Sequence, residues 1–146
     1  MVRMPVVRLR ERATGQTAYF INVHNPATTK RRGDQAHWRR VATRREIALI
    51  HRLHQLGDPV FLTGDLNEHA EFFCRYTASG LMHAAAGGSN TGACNPPPDS
   101  RAHIDWIFGS QGVTFSAYTK DRKAFVQRTA DHPLVLTLAQ LPIRLQ

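Results

Sequence analysis

No apolar run in this chain comes near the ~20 residues that a bilayer-spanning helix needs. Charges break every apolar stretch from Met1 to Leu9, so neither a membrane helix nor a signal peptide is expected. Cysteine is scarce: Cys74 and Cys94 form no Cys-x-x-Cys metal pair, and two thiols twenty positions apart are either free or bridged. Acidic groups are few as well. Eleven Asp and Glu stand against nineteen Lys and Arg, sixteen of them Arg, for a formal charge of +8. Such a surface concentrates phosphate-bearing partners near the chain; it is equally what an Arg-rich proteome would produce. There is no internal repeat and no low-complexity tail.

At 146 residues the chain is one domain, residues 1–146, able to bury about two-thirds of its unfolded surface. Val6 to Glu11 and Thr17 to Val23 are β-rich, and Ala13-Thr14-Gly15-Gln16 between them suits a hairpin turn. Asp34 is placed to cap a helix running to Leu56 and stopping at Gly57, with Trp38, Ala42, Leu49, Leu53 and Leu56 on its apolar face. Pro59 to Thr63 is continuously apolar, the pattern of a strand buried on both sides. Glu71 to Ala78 suits a short helix, and Ala84 to Ser100 is a long Gly, Ser, Asn and Pro loop. Three further strands are expected at His103 to Phe108, Val113 to Tyr118 and Leu134 to Leu138. Trp38 and Trp106 are assigned to the core.

Three short pieces, each placed where a strand is expected to end, carry acids, an amide and an imidazole: Gly64-Asp65-Leu66-Asn67, Ile104-Asp105-Trp106-Ile107-Phe108 and Ala130-Asp131-His132-Pro133. A fourth, Asn22-Val23-His24-Asn25-Pro26, adds a second imidazole. Cleaving a phosphodiester requires neutralised phosphate charge, an activated water and help for the departing oxygen, which a divalent metal and placed acids supply together. Mg²⁺ takes oxygen ligands and keeps several waters, so Asp65 and Asp131 suffice to hold it. Asn67 can present an amide donor, and Asp105 can fix the tautomer of His132. His37, His51, His54, His69, His83 and His103 show no metal-ligand spacing and are read as solvated or packed.

Together these pieces resemble the C-terminal half of the endonuclease/exonuclease/phosphatase superfamily of metal-dependent phosphoesterases. The resemblance implies an α+β fold, half of a four-layer α/β/β/α sandwich, with one mixed β-sheet and helices on one face. It implies catalytic roles for His24, Asp65, Asn67, Asp105 and His132, with Asp131 and Asp65 on Mg²⁺ (or Mn²⁺ or Ca²⁺). Asn25, Arg31 and Arg32 are assigned to the substrate. The expected activity is hydrolysis of phosphodiesters, nucleic acid first, with phospholipid or inositol phosphate as the alternative substrates. Nothing in Met1 to Tyr19 matches the Asn and the metal-binding Glu of the family's N-terminal half. The inner face of the sheet is therefore expected to be open, waiting for a missing half or a partner chain, and the rival function is an incomplete half-domain, inert or a basic binding module. In secreted relatives the loop between the Asp65 and Asp105 motifs often holds a disulfide, so the resemblance implies a Cys74–Cys94 bridge and an oxidising compartment for the full-length protein.

Overall fold

The computed structural model describes residues 4–98 and 104–142; the expected strand start at His103 and loop end at Ser100 lie outside them. Seven strands and three helices follow one another as β1 (Val6–Arg10), β2 (Thr17–His24), α1 (Ala36–His54), β3 (Val60–Asp65), α2 (Ala70–Thr77), β4 (Met82–Ala84), β5 (Asp105–Ser110), β6 (Thr114–Asp121), α3 (Ala124–Thr129) and β7 (Leu134–Gln140). A mixed five-stranded sheet runs β1-β2-β3-β5-β4, with β2 and β3 parallel and the other pairs antiparallel. The expected mixed sheet with helices is present. Its last two expected strands pair with each other as a separate two-stranded ribbon, β6-β7.

Alternation along β2, β3 and β5 divides the sheet into two faces. Ile21, Val23, Val60, Leu62, Trp106 and Phe108 point to the helices and join Ile50 of α1 and Phe72, Phe73 and Tyr76 of α2 in the main core. This core is aromatic: Phe72 stacks on Tyr76 at 4.3 Å and Trp106 on Phe108 at 5.5 Å. Burying each such ring stabilises the fold by roughly 1.5–3 kcal/mol. Among the described residues the opposite face carries a small cluster of Ala18, Phe61 and Val113, closed by Phe115 and Leu141. Beyond that cluster no described residue covers it, and Val7, Leu9 and Phe20 are all exposed.

Helix α1 departs from the expected pattern. Its buried residues are Thr43, Glu46 and Ile50, while Trp38 is 57% and Leu56 65% exposed, so Trp38 is not core. Leu49 and Leu53 do pack against the core as expected, but the inward stripe also takes in Arg39 and Glu46, which find ion-pair and hydrogen-bond partners there. Asp34 accepts from the Ala36 amide at 2.9 Å, one residue ahead of the cap position that Gln35 occupies.

Cys74 and Cys94 are joined by a disulfide, as the resemblance implied. It ties α2 to the loop after β4, which Asn90 also anchors by donating to the Cys74 carbonyl and to Thr77 Oγ1, both at 2.9 Å. Closing a loop of twenty residues removes enough unfolded-state freedom that reduction should lower stability by about 3 kcal/mol. Urea unfolding with and without reductant checks this: midpoints that coincide would show that the bridge adds nothing.

Candidate active site

The site begins as a row across three strands. In register, His24 of β2 lies beside Asp65 of β3, and Asp65 lies beside Asp105 of β5. Directly paired residues point to the same face, so three strand-end motifs far apart in the chain present their side chains together. They do so on the open face, at the end of the sheet away from Phe61. Asn22 and Thr63, one step inward, hydrogen-bond each other at 3.2 Å.

Local chemistry explains how β3 ends. Gly64 adopts φ +140°, and a Cβ there would stand 1.8 Å from the Val23 carbonyl oxygen, so only glycine lets β3 lie against β2 at this point. Asp65 then turns the chain by accepting from the Asn67 amide at 2.8 Å, and Asn67 takes φ +50°, a conformation asparagine tolerates. Buried Trp106 donates its indole N–H to the Glu68 carbonyl at 3.0 Å, pinning the far side of the turn to β5.

The turn entering β7 brings His132 to the row. Its Nδ1 lies 2.9 Å from both oxygens of Asp105, and its Nε2 lies 3.9 Å from Asp65 Oδ2. The hydrogen bond to Asp105 is the main reason its pKa stands above the usual imidazole value. His24 Nε2 approaches the same Asp65 oxygen at 3.5 Å from the other end, on a side chain 73% exposed. Asp65, Asp105 and His132 offer ligand atoms within 4.8 Å of one another, an arrangement able to hold a cation. Asp131 lines a shallow cleft of about 260 Å³ with Asp105, His132, His69 and Arg122. Neither His69 nor Arg122 was singled out from sequence, because neither belongs to a spaced motif.

The assignment of Asn25 to the substrate changes. Asn25 is 1% exposed and cannot meet a substrate; it is drawn inward because its backbone amide donates to the Asp65 carbonyl at 2.9 Å and its carbonyl accepts from Asn67 Nδ2 at 2.9 Å. Arg39 of α1 also turns in, with a side chain only 11% exposed. It donates to the Pro26 carbonyl and Thr28 Oγ1, both at 3.0 Å, and pairs with Glu68 at 3.6 Å, while Arg75 pairs with Glu68 from α2. Arg31 and Arg32 stay exposed in the loop after β2. Glu46, fully buried on α1, accepts from Tyr76 Oη at 2.9 Å and Asn25 Nδ2 at 3.5 Å, and burial pushes its carboxyl up to about 7.

No family model matches the sequence, and no curated protein matches it. Solved structures do. The chain aligns with a mannosyl-6-phosphatase of Bacteroides thetaiotaomicron at 17% identity and a TM-score of 0.61, covering 93% of this chain and 56% of that one. The catalytic domain of human nocturnin with bound sulfate aligns at 20% identity and a TM-score of 0.60, over 92% and 50%. An endonuclease/exonuclease/phosphatase protein of Bacteroides vulgatus aligns at 20% and 0.64, over 93% and 54%. The fold of this chain is thus that of one half of an endonuclease/exonuclease/phosphatase domain. The chain spans about half the length of the structures it matches.

Proposed function

We propose that this chain carries the phosphate-binding and water-activating part of a divalent-metal-dependent phosphoesterase that hydrolyses phosphodiesters, nucleic acid foremost. One observation carries the reading: His24, Asp65, Asp105 and His132 converge within hydrogen-bonding or ion-pair distance although they come from four separate segments. A dense row of acids with two imidazoles adds nothing to packing at an open cleft. The nocturnin structure holds a sulfate and another matched protein is a phosphatase, which supports phosphoester chemistry as the class.

The donor set fits a hard cation. Asp105 is committed to His132, so Asp65 with Asp131 would hold Mg²⁺, or Mn²⁺ or Ca²⁺, which when bound neutralises phosphate charge. Asp65 orients the attacking water. Asn67 spends one side-chain N–H on the Asn25 carbonyl and has the second to give to a phosphate oxygen. His132, kept cationic to higher pH by Asp105, binds the phosphate, and His24 is placed to protonate the departing oxygen. The net charge of +8 and the exposed Arg31 and Arg32 favour a polyanionic substrate over a phospholipid or inositol phosphate.

A second reading has its own observation. Val7, Leu9 and Phe20 leave one face of the sheet uncovered, which suits a half-domain that works only when another sheet, from the same protein or a partner, packs against it. Hydrolysis of plasmid DNA and of bis-nitrophenyl phosphate, measured against Mg²⁺ concentration, separates the two: turnover supports the first reading, and a folded but inert chain selects the second. If the chain turns over, Asp105→Asn should move the alkaline limb of the pH profile to lower pH, because His132 loses the partner that raises its pKa. An unmoved limb would remove His132 as the titrating group.

A further inference from the structure

Behind the row, on the helix side of the sheet, lies a chain of hydrogen bonds whose middle is buried: one end reaches the half-buried turn of Asp65 and Asn67, and the other, at Glu46, borders a cavity of about 360 Å³ beside α1. Tyr76 Oη donates to Glu46 Oε2 at 2.9 Å, and Asn25 Nδ2 donates to the same oxygen at 3.5 Å. The Asn25 carbonyl accepts from Asn67 Nδ2 at 2.9 Å, while its amide donates to the Asp65 carbonyl at 2.9 Å. Among the described residues Asn25 Oδ1 has no partner, so its side chain is held through Glu46. Asn25 thus stands between α1 and the turn that carries Asp65 and Asn67.

We propose that Glu46 is a positioning residue: through Asn25 it sets where the Asn67 amide points, and with it the register of the His24 and Asp65 loops. The inference rests on the phosphoesterase reading for its catalytic meaning. The geometry supports it in three ways. Glu46, Tyr76 and Asn25 are each 1% exposed, so their mutual bonds are little contested by bulk solvent. They come from α1, α2 and the loop after β2, so one carboxyl fixes three elements against each other. The backbone it controls is also the one that needs control, because Asn67 sits at φ +50° and the N–H it gives the Asn25 carbonyl sets where its second N–H points. An apolar residue would fill the same space on α1 without the desolvation that a buried carboxyl incurs. A carboxyl kept there despite that cost is explained by what it orients.

The test compares Glu46→Leu, Glu46→Gln and Tyr76→Phe in the same 146-residue chain. Side-chain amide resonances of Asn67 and Asn25 are followed by ¹⁵N NMR beside Mg²⁺-dependent hydrolysis of bis-nitrophenyl phosphate. Glu46→Leu should shift or broaden the Asn67 amide and lower kcat about tenfold with KM within about twofold, the split expected when orientation and not binding is lost. Glu46→Gln, whose amide oxygen accepts both bonds, should restore both readouts. Tyr76→Phe keeps the packing, serves if Glu46→Leu does not fold, and should produce the same change in smaller degree. Asn67 resonances unchanged in Tyr76→Phe and in a folded Glu46→Leu would overturn the proposal. If no variant, wild type included, hydrolyses the substrate, the phosphoesterase reading of this chain fails separately, and the Asn67 resonances still decide the relay.

Discussion

Replacing Asp65 with asparagine is expected to lower Mg²⁺-dependent hydrolysis by about 10³-fold, a loss of the size seen when a group stabilising transition-state charge is removed. The expectation follows from where the carboxylate stands. Its Oδ2 faces His24 at 3.5 Å and His132 at 3.9 Å, while its Oδ1 accepts the Asn67 amide that shapes the turn. Asparagine keeps an oxygen able to accept that amide and loses the charge, so the turn survives and the chemistry does not. Alanine removes both, and the lost hydrogen bond should cost a further 1 kcal/mol or so in stability, about 4 °C in Tm at most. Activity assays and thermal melts on the two variants therefore separate a structural carboxylate from a chemical one. Full activity in Asp65→Asn would remove this residue from the mechanism.

The row itself was legible because strands deliver chemistry at their ends, and a motif spaced by strand length declares both strand and end. Gly64-Asp65-Leu66-Asn67 is informative for a further reason: an apolar run followed by glycine and then an acid marks a strand that meets another backbone closely before it turns. The Asp105–His132 pair was also accessible, since an acid and an imidazole each beside a strand suit mutual orientation. What stayed hidden was the support behind the row. Asn25 precedes Pro26 in a polar loop, and nothing in composition separates a buried asparagine from a solvated one. Glu46 was missed because an amphipathic reading follows apolar residues alone, although Glu46 shares a face with Ile50 and Leu53 at spacings of four and seven. Arg39 carried no inward signal either, since guanidinium groups read as surface until partners such as Glu68 are seen to enclose them. The six-residue α3 is too short to carry a periodic signal, and the mutual pairing of β6 and β7 depends on long-range contacts that local patterns do not encode.

Gly64→Ala is the substitution expected to damage the fold most for its size. The added methyl would meet the Val23 carbonyl oxygen at 1.8 Å, carbon at 2.8 Å and nitrogen at 2.9 Å, all backbone atoms of a paired strand that cannot rotate away. Relief requires β2 and β3 to separate at the very step that places His24 beside Asp65. A clash of this kind, added to a backbone angle alanine avoids, should cost about 3 kcal/mol, roughly 10 °C in Tm for a domain of this size. Gly57→Ala supplies the comparison, because Gly57 also has positive φ, at +87°, but a Cβ there meets nothing within 4 Å. It should cost only the strain of the backbone angle, about 1 kcal/mol. If the two variants melt together, strain alone explains both and the close approach of β2 to β3 at Gly64 is not real. If Gly64→Ala melts well below Gly57→Ala and also loses the His24 and Asp65 resonances of the folded site, the same contact that admits only glycine is what brings the His24 and Asp65 loops into line.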